Sequence, residues 1–455
     1  MTTIARNTAL IPLPTADRLF GWRDHAALWL SLGVGLLVMQ VGAYLVPALG
    51  TRAALAAILG GSVIGAGLLA WTAKIGCDSG LSSAGLMHAA YGSSFARLPV
   101  LLNIVQLIGW TTFELVVMRD GLVGIARQAG VLASASGPAS ASAPDVAGAS
   151  SLTLAPGLAS SLPTLLATLA LGVLLLALLA GSMVALVRKF IGRFGLPLVI
   201  LSLAWLSWQF LDKARAIGWA DLWNRPGEGG MSTLSALDLV IAMPISWLPL
   251  VADFARHGRD GASALRGTWL GYAIANIWCY ALGVLVALTT PSTDLVAALL
   301  LAQGGLIALG LILVDEVDNA YGDVYSASVA GHSLLPRWST RRWGVLLALA
   351  CTALALVLPM HSLEPFLLML SSVFVPLYGV ILGRLAGRGD VASLVGAERT
   401  NAGAVAIWLL GVAMFHLLPL VSAQWGSALP TLALTFVLAR LSRVGGAAAA
   451  PKAVP

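Results

Sequence analysis

Charge is what this chain has least of: Asp, Glu, Lys and Arg make up 10% of its 455 residues, against 58% hydrophobic residues and a mean hydropathy of +0.90. Soluble domains carry about 25% charged residues, so the composition excludes a soluble globule and indicates a polytopic membrane protein. Cysteine is scarce as well. Cys77, Cys279 and Cys351 are scattered, without a CxxC or a Cys/His spacing suited to a metal, so no disulfide framework is implied and all three read as small apolar packing residues. A phosphate loop is also missing. Gly60, Gly61, Gly65 and Gly67 follow no strand and precede no Lys; in a membrane helix they allow close contact with a neighbour instead.

About 20 apolar residues carry a helix across a bilayer, and twelve such stretches run from Trp29–Leu49 to Ser427–Leu441. The first is full length with no small-residue cleavage pattern after the polar Met1–Arg23, so it reads as a span and not as a removable signal. With the N-terminus in the cytoplasm, 20 of the 26 Lys and Arg fall on inner segments; only Arg52, Arg119, Arg127, Lys213, Arg215 and Arg225 lie elsewhere. Such a bias sets orientation. Both termini are expected in the cytoplasm of a multi-pass protein of the plasma membrane (the inner membrane of a bacterium), and the net charge of +6 reflects topology, not a nucleic-acid surface. The expected layout is a cytoplasmic segment 1–24, one membrane domain 25–443 and a cytoplasmic tail 444–455. Residues 128–161, rich in Ala, Ser, Gly and Pro, form a flexible outer loop. No obligate protein partner is evident; the lipid bilayer and a small molecule are the expected partners.

Two spans carry helix breakers. The sixth has Pro244 and Pro249 around Trp247, and the first is interrupted by Gln40, Gly42 and Pro47. Interrupted segments at matching places in two halves point to the binding site of an inverted-repeat transporter, and the first and sixth spans match if the repeat is five plus five. Third and eighth match too. In the third, Gln106, Trp110 and Glu114 stand at i, i+4 and i+8, on one face, with Asn103 a turn earlier. An aromatic plane beside an amide and a carboxylate suits a flat heterocycle that stacks and hydrogen-bonds at its edge; the alternative for Asn103 and Gln106 is plain bonding between helices.

The eighth run passes from Leu-Ile-Leu-Val into Asp315, Glu316, Asp318, Asn319 and Asp323. A carboxylate at membrane depth costs a few kcal/mol or more and normally faces a cavity, a partner or a transported ion. Neighbouring carboxylates in low dielectric do not readily ionise together, so one keeps its proton. Asp315, Glu316 and Asp318 are therefore the candidate proton or cation carriers. Asp323 reads equally as a residue of the cytoplasmic rim that caps or pairs with an Arg. Asp253, Arg256, His257, Arg259 and Asp260 read as a solvated charged rim, and His361 and His416 as surface or packing residues.

Taken together, Gly80-Leu81-Ser82-Ser83, Tyr91-Gly92-Ser93, Gln106-Leu107-Ile108-Gly109-Trp110, Ala252-Asp253-Phe254-Ala255-Arg256-His257-Gly258-Arg259 and Asp318-Asn319-Ala320 resemble, in colinear order over Leu28 to Leu385, the nucleobase:cation symporter-1 family of cytosine, hydantoin, allantoin and hydroxymethylpyrimidine transporters. The resemblance implies twelve transmembrane helices, with a leucine-transporter-like 5+5 inverted repeat plus two, in an all-α protein. It also implies a nucleobase-like ring held between aromatic side chains of the third and sixth spans. Trp110 matches the third-span tryptophan, and Glu114 stands where hydantoin carriers place an amide. A carboxylate there accepts from ring N–H or exocyclic NH2, which favours cytosine, hydroxymethylpyrimidine or a purine. Pro244 takes the position of the sixth-span aromatic, leaving Trp247 to supply that ring, and Gln40 adds an edge contact. The family's sodium-binding hydroxyls are replaced by Asp315 and Glu316.

The expected function is import of such a heterocycle by cation symport, coupled to protons, with no catalytic residue, no bound metal and no cofactor beyond the coupling H+ or Na+. Sodium-coupled transport of a hydantoin or allantoin is the runner-up. An intramembrane acid-cluster enzyme such as a prenyltransferase would need a second acid cluster and basic residues for a pyrophosphate, for which Asp253 and Asp260 are a poor substitute.

Overall fold

The structure is a computed structural model that describes residues 7–132, 162–291, 295–358, 363–422 and 424–448. The expected loop from residue 133 on, His361 and the tail from residue 449 fall outside it, whereas residues 444–448 continue the last helix.

Among the described residues the regular structure is helical, with one isolated bridge between Phe20 and Gly258. The first half holds α1 (Trp22–Ser31), α2 (Leu36–Tyr44), α3 (Thr51–Ser79), α4 (Ser83–Tyr91), α5 (Arg97–Gln128), α6 (Leu162–Leu179), α7 (Met183–Ala185), α8 (Leu196–Ile217) and α9 (Trp219–Trp223). The second holds α10 (Thr233–Ser246), α11 (Leu248–Ala255), α12 (Gly261–Thr289), α13 (Leu295–Leu300), α14 (Gly305–Leu334), α15 (Thr340–Val357), α16 (Leu363–Leu385), α17 (Ala402–Val421) and α18 (Ala428–Ala448). Among the described residues, nine helical segments are long and apolar enough to cross a bilayer, ten when α1 and α2 count as one bent span. Of the twelve stretches expected, α14 and α18 lie outside that set; α14 carries Asp315, Glu316, Asp318 and Asp323. The eighth stretch is also not continuous from Leu295, because α13 ends at Leu300 and α14 starts only after Gly304, at φ +69°.

The first span breaks earlier than Gln40, Gly42 and Pro47 suggested. Its axis turns by 60° between Ser31 and Leu36, at Gly33-Val34-Gly35. Space explains the glycines: a Cβ on Gly33 would stand 2.8 Å from Ala275 Cβ, and one on Gly35 3.1 Å from Glu316 Oε1. Gly42 serves packing instead, its backbone lying against that of Tyr280.

The break between α10 and α11 follows from proline. Pro249 has no N–H for the carbonyl of Ile245, and the register slips by one residue. Trp247 N donates to Pro244 O at 3.3 Å and Leu250 N to Trp247 O at 3.2 Å, which strips Ser246 O of its helical donor. Side chains fill in. Ser246 Oγ donates to Met243 O at 2.7 Å, and Gln106 Nε2 reaches Ser246 O at 3.3 Å. Membrane helices tolerate a break when neighbours re-satisfy the freed groups in this way.

Glycines of α3 bring α10 close. A Cβ on Gly61 would meet Val240 Cγ1 at 2.6 Å, and Gly65 lies directly against the Pro244 ring. Gly67 has only Trp269 Nε1, at 3.9 Å. Gly65→Ala is therefore expected to lower the melting temperature of the detergent-solubilised protein, since overpacking costs about 1–3 kcal/mol. Gly67→Ala should leave it unchanged or raise it, because Ala is favoured over Gly in a helix by roughly 0.5–1 kcal/mol. Equal effects at the two sites would refute the close α3–α10 contact.

Candidate functional site

The two breaks lie against α5 and α14, which pack along each other, and the four enclose a cavity of about 30 Å³. Leu32, Gly35 and Val38 line it from the first break, Ser246 and Trp247 from the second, Trp110 and Glu114 from α5, and Glu316, Asn319 and Asp323 from α14. Pockets for small molecules begin at roughly 300 Å³, so a ring enters only when the surrounding helices move apart.

Four of the eight candidate site residues read from the sequence meet here: Trp110, Glu114, Trp247 and Glu316. Trp110, 6% exposed, packs edge-on against Phe366 with centroids 5.2 Å apart. Trp247, 8% exposed, packs edge-on against Trp29 at 5.8 Å. These contacts fix both indoles while leaving part of each on the cavity wall.

The other candidates are placed differently. Gln106 sits one turn from Trp110, away from the lining, where its Nε2 donates to Asn103 Oδ1 at 3.0 Å as well as to Ser246 O; Asn103 Nδ2 donates to Pro249 O at 2.9 Å. Both amides thus bond backbone carbonyls at the sixth-span break and neither lines the cavity. Gln40 is exposed on α2 and does not line the cavity. Pro244 packs on Gly65, three residues short of Trp247.

The acids of α14 divide between two faces. Glu316, Asn319 and Asp323, at i, i+3 and i+7, form the stripe on the cavity wall. Glu316 is fully engaged: its Oε1 accepts from Leu36 N at 2.5 Å, capping the broken first span, and its Oε2 accepts from Asn319 Nδ2 at 3.1 Å. Asn319 Nδ2 also reaches Val34 O at 3.3 Å. Asp315 and Asp318 form the neighbouring stripe and meet the end of α1. There Ser31 Oγ stands 2.7 Å from Asp315 Oδ1 and 2.9 Å from Asp318 Oδ2. The sequence neighbours Asp315 and Glu316 thus do not share a site; the pair that does is Asp315 and Asp318, across Ser31.

Burial removes the rim alternative for Asp323 and overturns the rim reading of Asp253. Asp323 is 2% exposed and its Oδ2 has no hydrogen-bond partner. Asp253, 1% exposed, accepts from Ser83 N at 3.1 Å and Ser326 Oγ at 2.5 Å, and so ties α11 to α4 and α14. Arg256 is buried with it. Beyond the helix end, burial, then Arg256 and His25, push His257 down to about 3, so its ring is neutral at physiological pH. The run from Asp253 to Asp260 turns back beneath α4 and the N-terminal segment; Phe20 N donates to His257 O at 2.8 Å.

Sequence reasoning missed Ser31, Ser246 and the backbone at Gly33–Leu36. The Gly33-Val34-Gly35 pair was the available signal. Ser31 carried none, since a serine near a helix end is usually a cap or packing residue.

A family model described as a permease for cytosine/purines, uracil, thiamine and allantoin matches residues 12–441. Among solved structures, that of Mhp1, a nucleobase-cation-symport-1 family transporter, in a closed conformation with bromovinylhydantoin bound, is similar with a TM-score of 0.77 at 16% identity, over 98% of this chain and 95% of that one. The inward-facing conformation of Mhp1 gives 0.73 at 15% identity, over 98% and 94%. No curated protein matches by sequence. The all-helical fold is thus the leucine-transporter-like one expected from the sequence.

Proposed function

This chain belongs to the family of permeases for cytosine/purines, uracil, thiamine and allantoin, a multi-pass membrane transporter and not an enzyme, and we propose that it imports a nucleobase-like heterocycle across a bacterial plasma membrane by proton symport. The ring lies between Trp110 and Trp247, with Glu114 accepting from its edge. Asp315 and Asp318 carry the coupling proton, and Glu316, capping the first-span break from the cavity wall, links the two places. Both termini lie in the cytoplasm.

One observation carries the proton reading: the two short contacts at Ser31 Oγ. A hydroxyl has one hydrogen to donate. It donates to one carboxylate, and the second contact is a hydrogen bond only if that carboxyl itself holds a proton and donates to Oγ. The geometry thus favours an Asp315/Asp318 pair that shares one proton at membrane depth, where two bare charges would be costly. A sodium ion would instead need both oxygens free of protons and turned towards it.

The test is uptake of radiolabelled cytosine into proteoliposomes under a pH gradient or a sodium gradient imposed separately, with hydroxymethylpyrimidine, adenine, uracil, allantoin and a hydantoin as competitors. Accumulation driven by the acid-outside gradient alone is the expected result. Accumulation driven by sodium alone would overturn the proton assignment, and no uptake under either would overturn the substrate class.

A further inference from the structure

Glu114 and Asp323 stand on facing helices, at the wall of one cavity, and each has a buried oxygen without a partner: Oε2 of Glu114, 4% exposed, and Oδ2 of Asp323, 2% exposed. The third acid of the wall differs. Glu316 has both oxygens engaged by donors of this chain. Among the described residues, no Lys, Arg or His lines the cavity, so none of them supplies a cation for the two unpartnered carboxyls. Buried polar atoms left unpaired cost about 1–3 kcal/mol each, and where two such acceptors converge on a cavity the missing donors are expected from whatever enters it.

We infer that Glu114 and Asp323 together form an edge site whose carboxyls ionise against their ligand, and that the ring taken up there carries positive charge: an amino-substituted heterocycle presenting an amidinium edge, with a protonated ring nitrogen beside a C–NH2 group. This rests on the reading of the cavity as the substrate site and narrows it. An amidinium edge offers two parallel N–H donors to one carboxylate, the bidentate arrangement that makes charge-assisted bonds strong, and the remaining amino hydrogen reaches the second. The indoles of Trp110 and Trp247 complete the fit, because a cation is attracted to an aromatic face. The same site rejects rings whose edge is C=O, N–H, C=O. Uracil would turn carbonyl oxygens towards carboxylate oxygens with one donor between them, and selectivity of this sort depends on repulsion as much as on attraction. Asp323 thereby becomes a specificity-determining residue of the site.

The experiment is thermal stabilisation of the detergent-solubilised full-length protein by three probes: 2-aminopyridinium, a flat amino ring whose ring N–H lies beside its C–NH2 and which is kept protonated by working at mildly acidic pH, cytosine and uracil. The expected result is stabilisation by the first two and none by uracil. Asp323→Asn and Glu114→Gln should each weaken the pyridinium at least about tenfold, the scale of one charge-assisted bond, and Asp323→Asn should admit uracil, since an amide donates to a carbonyl. Asp323→Glu keeps the charge and should keep the preference; it also guards against an Asn variant that fails to fold, as does Glu114→Gln. Stabilisation by uracil equal to that by cytosine, or an unchanged pyridinium affinity in both charge-removing variants, would overturn the inference and leave the transporter reading standing. Failure of all three probes would overturn the substrate-site reading itself.

Discussion

Uptake by the Trp110→Ala variant is expected to fall about ten- to a hundredfold, with insertion and purification unchanged. A base stacked on an aromatic side chain is worth roughly 1–3 kcal/mol by truncation to alanine; at about 1.4 kcal/mol per factor of ten that is one to two decades. The environment of Trp110 makes the test clean. Phe366 and Phe113 hold the indole from one side, so Trp110→Phe should keep the packing and much of the ring surface, and recover a large part of uptake. A purely structural role would appear as lost protein with normal affinity in what remains. A substrate role raises the concentration needed for half-maximal uptake. Wild-type uptake by Trp110→Ala in liposomes would remove the stacking role.

The second large effect is expected at the pair across Ser31. Each unit of pH gradient is worth 1.36 kcal/mol per proton, which at one proton per substrate supports about tenfold accumulation. Asp315→Asn and Asp318→Asn are each expected to reduce that to no accumulation above equilibrium, while exchange of labelled for unlabelled substrate persists, because an amide occupies the same volume but cannot take up and release the proton. Ser31→Ala should act in the same direction more weakly, removing the hydroxyl that holds the pair together and leaving both carboxyls. Glu316→Gln is expected to impair binding more than coupling: its partners, Leu36 N and Asn319 Nδ2, tie it to the broken first span and the cavity wall. Accumulation that still follows the pH gradient in both Asn variants would place the proton elsewhere.

Within single helices the site was largely legible. The spacing of Trp110 and Glu114 put both on one face of α5, and both line the cavity. Pro244 and Pro249 marked the sixth-span break, and the acids of the eighth stretch marked the helix that carries two of the three wall carboxyls. Gln106 shared the periodicity of Trp110 yet serves the carbonyl of Ser246, since a helix face one turn longer than the cavity meets the break beside it. Gln40 was misplaced for a related reason: the first span breaks where its backbone must clear Glu316 and Ala275, at Gly33-Val34-Gly35, and nothing within residues 28–49 records those neighbours.

The sequence by itself determined the membrane class, most of the long helices, the sixth-span break, and the residue types available to a substrate and a proton, because hydrophobic period, proline chemistry and the cost of charge in hydrocarbon all act along one segment. Only the tertiary structure decided that Asp315 pairs with Asp318 and not with Glu316, that Ser31 joins them, that Asp253 is a buried tie and not a rim charge, and that Asp323 faces Glu114 across a cavity. Each of these depends on how two helices distant in sequence are rotated about their own axes when they cross. A residue step turns a helix face by about 100°, and which face meets which neighbour is settled by packing alone.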